Sequence, residues 1–136
     1  MIYVLDTNAV SALMKGNPAV VDRLAATTQA DVAVPQPVLA EIAFGIERLP
    51  RSRRRTSLQA RFDLVCAELP RAEWTDAVSR SFGRIKATLE RRGTRIEDFD
   101  AAIAAHALAF EATLVTANLD HLIRVPGLRV EDWSHG

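Results

Sequence analysis

The sequence predicts an α/β fold with a small, mainly parallel central sheet flanked by helices. Three observations carry that expectation. Ile2-Tyr3-Val4-Leu5 is a short apolar run closed by Asp6-Thr7-Asn8, the pattern of a strand buried on both faces. Val32-Ala33-Val34 and Leu114-Val115-Thr116 repeat it further along. Helical periodicity fills the stretches between, and strands alternating with helices imply βαβ units with right-handed crossovers.

After the first strand, Ala9 to Met14 reads as a short helix stopped by Gly16, and Pro18 opens another through Val20, Val21 and Leu24. Pro35 closes the second strand. Pro37, at a first helical position, starts a helix from Val38 to Leu49 with Val38, Leu39, Ile42, Ile46 and Leu49 on one face, and Pro50 ends it. The run Arg51-Ser52-Arg53-Arg54-Arg55 leads into a helix striped by Leu58, Phe62 and Val65. Leu69-Pro70 marks a turn or a short edge strand. A long helix is expected from about Glu73 to Arg92, where Trp74, Val78, Phe82, Ile85 and Leu89 recur at helical spacing before Gly93. From about Asp98 to Phe110 the chain is nearly all small and apolar, a helix able to lie close against a sheet. Leu128-Arg129-Val130 reads as a last, more exposed strand.

No linker, repeat or low-complexity tract divides the 136 residues, so one domain over 1–136 is expected. Lys+Arg 17 balance Asp+Glu 17, so a nucleic acid has to be held by a local basic patch and not by the overall field. The single cysteine, Cys66, excludes an internal disulfide and suits a reducing cytosol; between Val65 and Ala67 it is expected as a buried structural thiol. Ile2 to Leu5 is too short for a secretory h-region and is interrupted by Asp6, and nothing approaches the ~20 apolar residues of a membrane span. A cytoplasmic protein without membrane attachment is the expectation.

The chemistry-bearing residues are acids. Asp6 closes the most apolar strand, and in open α/β sheets ligands sit beyond the carboxyl ends of the strands. Its bland reading is a cap on the next helix. Glu41 lies at the border of the apolar stripe of its helix, beside Val38 and Gly45, where an isolated acid is ordinarily solvated. At the start of the alanine-rich helix, Asp100 falls on the wheel among Ile103, Ala104 and Ala107, whereas Asp98 falls opposite and suits the N-cap. An inward carboxylate is costly without a cation, and a metal is the simplest one. Thr116-Ala117-Asn118 closes its strand much as Asp6-Thr7-Asn8 closes the first, with capping by Asn118 the equal alternative. An all-oxygen set suits Mg²⁺ or Mn²⁺, while His106, His121 and His135 lack zinc-ligand spacing. Neither a phosphate-binding glycine loop nor a nucleophile elbow is present.

Taken together, Asp6-Thr7-Asn8, Glu41, Asp100-x-x-Ile103-Ala104-Ala105-x-Ala107-Leu108 and Leu114-Val115-Thr116-x-Asn118 resemble PIN-domain ribonucleases, and within them the VapC toxins of bacterial toxin–antitoxin pairs. The resemblance implies a three-layer α/β/α architecture and Mg²⁺-dependent endonucleolytic cleavage of RNA, commonly tRNA or rRNA. It also implies a homodimer and a cognate antitoxin (VapB-like) that blocks the cleft. By resemblance Asp6, Glu41 and Asp100 are the metal-binding acids, with Thr7 and Asn8 supporting Asp6. The family's fourth acid, often Asp, falls here on Asn118, which weakens the case for a second metal. Thr116 and Asp98 stand as supporting residues. Arg51, Arg53, Arg54 and Arg55 have two readings, a solvated loop or contacts to RNA phosphates or to an acidic antitoxin segment, and Arg91, Arg92 and Arg95 form a second patch with the same two readings. The rival readings are a receiver-like signalling module, which would need an adjacent acid pair at the first strand, and a PIN scaffold without catalysis.

Overall fold

The computed structural model describes residues 1–135. Tyr3–Leu5 (β1), Val32–Pro35 (β2), Arg71–Ala72 (β3), Thr113–Val115 (β4) and Val130–Glu131 (β5) form one sheet in the order β3-β2-β1-β4-β5. Every pairing is parallel, with Val4 opposite Ala33 on one side and Leu114 on the other. Val4, Leu5, Val32, Val34, Leu114 and Val115 are buried to within 1%, as strands covered on both faces require.

Thr7–Met14 (α1) and Pro18–Ala25 (α2) link β1 to β2 through a 3-10 turn at Gln29–Asp31. Gln36–Glu47 (α3) and Arg53–Glu68 (α4) precede β3, and Asp76–Arg92 (α5) and Asp98–Ala109 (α6) pack together before β4. Leu119–Leu122 (α7) lies between β4 and β5. Helices on both sides of a wholly parallel sheet make the three-layer α/β/α arrangement. From β1 the chain adds β2 and β3 on one side, then crosses to add β4 and β5 on the other. The order therefore reverses between β1 and β4, and the crevice beyond their carboxyl ends is the switch point where such sheets bind ligands.

Several elements fall a little away from their sequence expectation. Thr75 caps α5 by accepting from the Val78 amide at 3.3 Å, so the helix begins after Trp74. Trp74 is instead exposed and stands edge-on to the His106 ring at 5.2 Å. The first edge strand follows Leu69-Pro70, with the Val34 amide donating to the Pro70 carbonyl at 2.9 Å. The last one is shifted to Val130–Glu131. Cys66 is only partly buried, packed against the rim of the core. Gly93 does end α5, in the left-handed conformation (φ 68°) that closes a helix and suits glycine. Among the described residues no helix is long and apolar enough to cross a membrane.

Candidate metal centre at the carboxyl edge of the sheet

Leu5 and Val115 are register partners, so the residues that follow them, Asp6 and Thr116, emerge side by side at the switch point. The Asp6 amide donates to the Val115 carbonyl at 3.0 Å, extending the ladder by one bond. The chain then turns into α1, and Asp6 Oδ1 accepts from the Ala9 amide at 2.8 Å. The cap is real, yet it leaves a carboxylate that is only 5% exposed. Burial pushes its pKa up to about 6; the Thr116 hydroxyl and the Ala9 and Asn8 amides hold it down, and the charge of Asp100 pushes it further up. The site thus carries a buried anion whose neighbours include another acid and no cation.

Asp100 lies half-buried in the first turn of α6. Burial raises its pKa first, then the charges of Glu41 and Glu97, while His121 lowers it. Glu41, in the second turn of α3 and half-buried, accepts a 2.5 Å hydrogen bond from the Thr7 hydroxyl across a separation of 34 residues. The three carboxyls therefore belong to one electrostatic neighbourhood: Asp6 senses Asp100, and Asp100 senses Glu41. Among the described residues no three His, Cys, Asp or Glu side chains are drawn in to ligation distance. Carboxylates approach closely only when a cation offsets their charge. As all-oxygen donors, Asp6, Glu41 and Asp100 have the chemistry that suits a hard divalent ion such as Mg²⁺ or Mn²⁺.

The supporting residues sort differently. Thr7 reaches Glu41 through its hydroxyl, and exposed Asn8 acts on Asp6 through its backbone amide. Thr116, 1% exposed, also accepts from the Asn118 amide at 2.9 Å, fixing the turn after β4. Asn118 sits at the N-cap of α7 but makes no capping bond with its side chain; its Nδ2 lies 3.3 Å from His121 Nδ1. Asp98 is not the N-cap of α6. Glu97 occupies that position, and Asp98 turns outward to pair with Lys86 Nζ at 3.2 Å because α5 offers a cation there. Arg51, Arg53, Arg54 and Arg55 are not among the groups acting on Asp6 or Asp100. Arg55 is tied to Glu47 at 3.0 Å and to the Leu49 carbonyl at 3.2 Å. His121 and Glu97, absent from the sequence-derived site, both act on Asp100. The one sequence signal for His121 is its place three residues after Asn118, in the turn beyond a buried strand.

Comparison with known proteins follows the same outline. A family model described as PIN domain matches residues 3–128. The chain is 32% identical to Ribonuclease VapC2 of Rickettsia felis, over 98% of this chain and 99% of that protein. It is 30% identical to the tRNA(fMet)-specific endonuclease VapC of Shigella flexneri, over 97% and 98%. The crystal structure of VapBC2 from Rickettsia felis, bound to a DNA fragment from its promoter, superposes with a TM-score of 0.85. That match covers 98% of this chain and 99% of that one at 29% identity.

Proposed function

The chain belongs to the PIN-domain family, and from that premise we propose that it is a Mg²⁺-dependent endoribonuclease of the VapC type. Mn²⁺ is the alternative ion. In this reading the protein is the cytoplasmic toxin of a toxin–antitoxin pair that cleaves structured RNA such as tRNA or rRNA. The observation that carries the proposal is the coupling of Asp6 to Asp100 and of Asp100 to Glu41 at the β1–β4 switch point, three acids against the single imidazole of His121. The full-length similarity to proteins named ribonuclease and endonuclease supports the same reaction class.

Asp6, Glu41 and Asp100 would hold the ion. When bound, it supplies a more acidic water and charge stabilisation at the phosphate in an in-line displacement. The protein's own part is placement. The ladder bond to Val115 and the cap on α1 fix Asp6. The Thr7 hydroxyl fixes Glu41. Packing of the alanine face of α6 brings Asp100 in from the first turn. Asn118, neutral at the family's fourth acidic position, lowers the negative charge available to a second ion.

The solved VapBC structures similar to this chain support a cognate antitoxin partner, and in this reading the antitoxin covers the acidic crevice. A homodimer is part of the proposal, with exposed Phe44 on α3 and Leu64 on α4 as candidate contacts. The test is incubation of total RNA with the purified protein, with Mg²⁺ and with chelator, followed by mapping of new ends. Cleavage that needs the metal and is lost in Asp100→Asn supports the proposal. Equal cleavage by Asp100→Asn refutes the assignment.

A further inference from the structure

Beside the acids lies a second feature, of opposite charge. Lys86 of α5, Arg95 and Ile96 of the loop before α6, Asp98 of α6, and His121 and Arg124 of α7 and its end line a cavity of about 310 Å³. Glu97 completes its wall. The N-terminus of α6 and the start of α7 both lie at the carboxyl edge of β4, since α6 leads into that strand and α7 follows it. His121 belongs to both places: it lines the cavity, and its Nδ1 lies 3.3 Å from Nδ2 of Asn118 in the turn after β4.

Two of the cations of this cavity are not spent on neighbouring acids. Lys86 is paired with Asp98 at 3.2 Å, but among the described residues neither Arg95 nor Arg124 forms an ion pair. Arg124 Nη1 donates to the Arg95 carbonyl at 3.4 Å, which ties the loop to α7. Two unpaired guanidiniums next to a crevice of carboxylates are an arrangement that a polyanion with a metal-bound phosphate satisfies on both sides. Arginine's planar fork suits phosphate oxygens.

Resting on the ribonuclease reading above, we propose that Arg95 and Arg124 seat an RNA phosphate beside the one at the acids, and so set how the strand enters the crevice. The sequence leaves both arginine patches, Arg51 to Arg55 and Arg91, Arg92 and Arg95, open between a solvated face and phosphate contact; the geometry favours Arg95 with Arg124, because they share with the site His121, which lies 3.3 Å from Asn118. Their partner is RNA backbone, in preference to an acidic protein segment, because the cavity adjoins Asn118 through His121 and its wall residues Glu97 and Asp98 lead into Asp100, so one strand can reach both places.

The experiment is equilibrium binding of a fluorescein-labelled RNA hairpin of mixed sequence, without metal, across a KCl series. Asp100→Asn serves as the non-cleaving parent. Adding Arg95→Ala and Arg124→Ala should weaken binding at least tenfold. It should also flatten log Kd against log[KCl] by about 1.4, two contacts at roughly 0.7 each. Arg51→Ala with Arg54→Ala in the same parent should leave both unchanged. Arg95 and Arg124 are exposed, and unchanged thermal melting checks that the fold is intact. Parent-like RNA binding after loss of Arg95 and Arg124 overturns the proposal, as does an equal loss from the Arg51/Arg54 pair. So does a variant that keeps RNA but loses a poly-glutamate peptide, which would make the cavity a protein-binding surface. Cleavage by the unsubstituted protein with Mg²⁺ is scored apart. Cleavage without an arginine effect on binding sinks only the phosphate seat, and an arginine effect without cleavage sinks only the nuclease reading.

Discussion

Asp6 serves two ends with one carboxylate: it caps α1 and it contributes negative charge to the crevice. Capping needs only an oxygen, and asparagine caps about as well as aspartate. The charge is therefore surplus to folding, and burial has raised the pKa to about 6. A raised folded pKa means that the ionised group opposes folding above it, by about 1.4 kcal/mol for every tenfold gain in proton affinity. Asp6→Asn should raise stability at pH 7 by about 1–3 kcal/mol, read as an upward shift of the thermal midpoint, while abolishing cleavage. A lowered midpoint would show that the carboxylate is held by something the geometry does not contain. Thr7 is the matching case one residue on. Its hydroxyl orients Glu41 from the adjacent element, so Thr7→Val should cost roughly tenfold in metal affinity, as loss of an outer-shell bond commonly does. Isothermal titration with Mn²⁺ measures it, and an unchanged affinity would detach Glu41 from the site.

At the scale of elements, α6 does the positioning. Ala101, Ala102, Ala104, Ala105 and Ala107 are at most 3% exposed, so the helix lies close to the sheet and to α5, and its first turn carries Asp100 to the switch point. Ala104→Leu should destabilise the fold by about 1–3 kcal/mol in chemical denaturation, since no void awaits the added carbons. This element also shows what a sequence can and cannot reveal. The alanine run and the wheel position of Asp100 were legible because burial is periodic along a helix. The strands were legible for the same reason: Val4, Val34 and Leu114 sit in continuous apolar runs that only a doubly covered strand explains. The cap of α6 was not, because Asp98 was drawn outward by Lys86 on another helix, a choice made by tertiary packing. Nor was the Thr7–Glu41 bond, which joins two helices 34 residues apart. The Arg95–Arg124–His121 cavity is assembled from a loop and a short helix whose periodicity is too brief to read.

Across the whole molecule two buried titrating groups pull against each other. Burial lowers the pKa of His106, whose Nδ1 lies 2.7 Å from the Ala102 carbonyl and whose Nε2 has no partner among the described residues. A lowered histidine contributes stability above its usual 6.5 that is lost as the pH falls through the folded value. Asp6 has the opposite sign: its cost is present above about 6 and disappears as the pH falls toward 3.8. The advantage of Asp6→Asn over the parent should therefore be full at pH 7 and gone near pH 4 in denaturation curves; a constant difference would assign it to packing and not to charge. A divalent ion engages the same imbalance from outside the protein. It binds the folded arrangement of Asp6, Glu41 and Asp100 and stabilises it by about 2.7 kcal/mol at a hundred times its Kd. Mg²⁺ or Mn²⁺ should thus raise the melting midpoint at pH 7.5 and progressively less below pH 6, where Asp6 takes up its proton. Chelator should remove the increment and the cleavage together while leaving the apolar core folded, because Val4, Leu5, Leu114 and Val115 are held by apolar burial and have no ligating groups. In Asp6→Asn and Asp100→Asn the increment should vanish. A shift that persisted in both would place the ion elsewhere, and the acids at the switch point would lose their role.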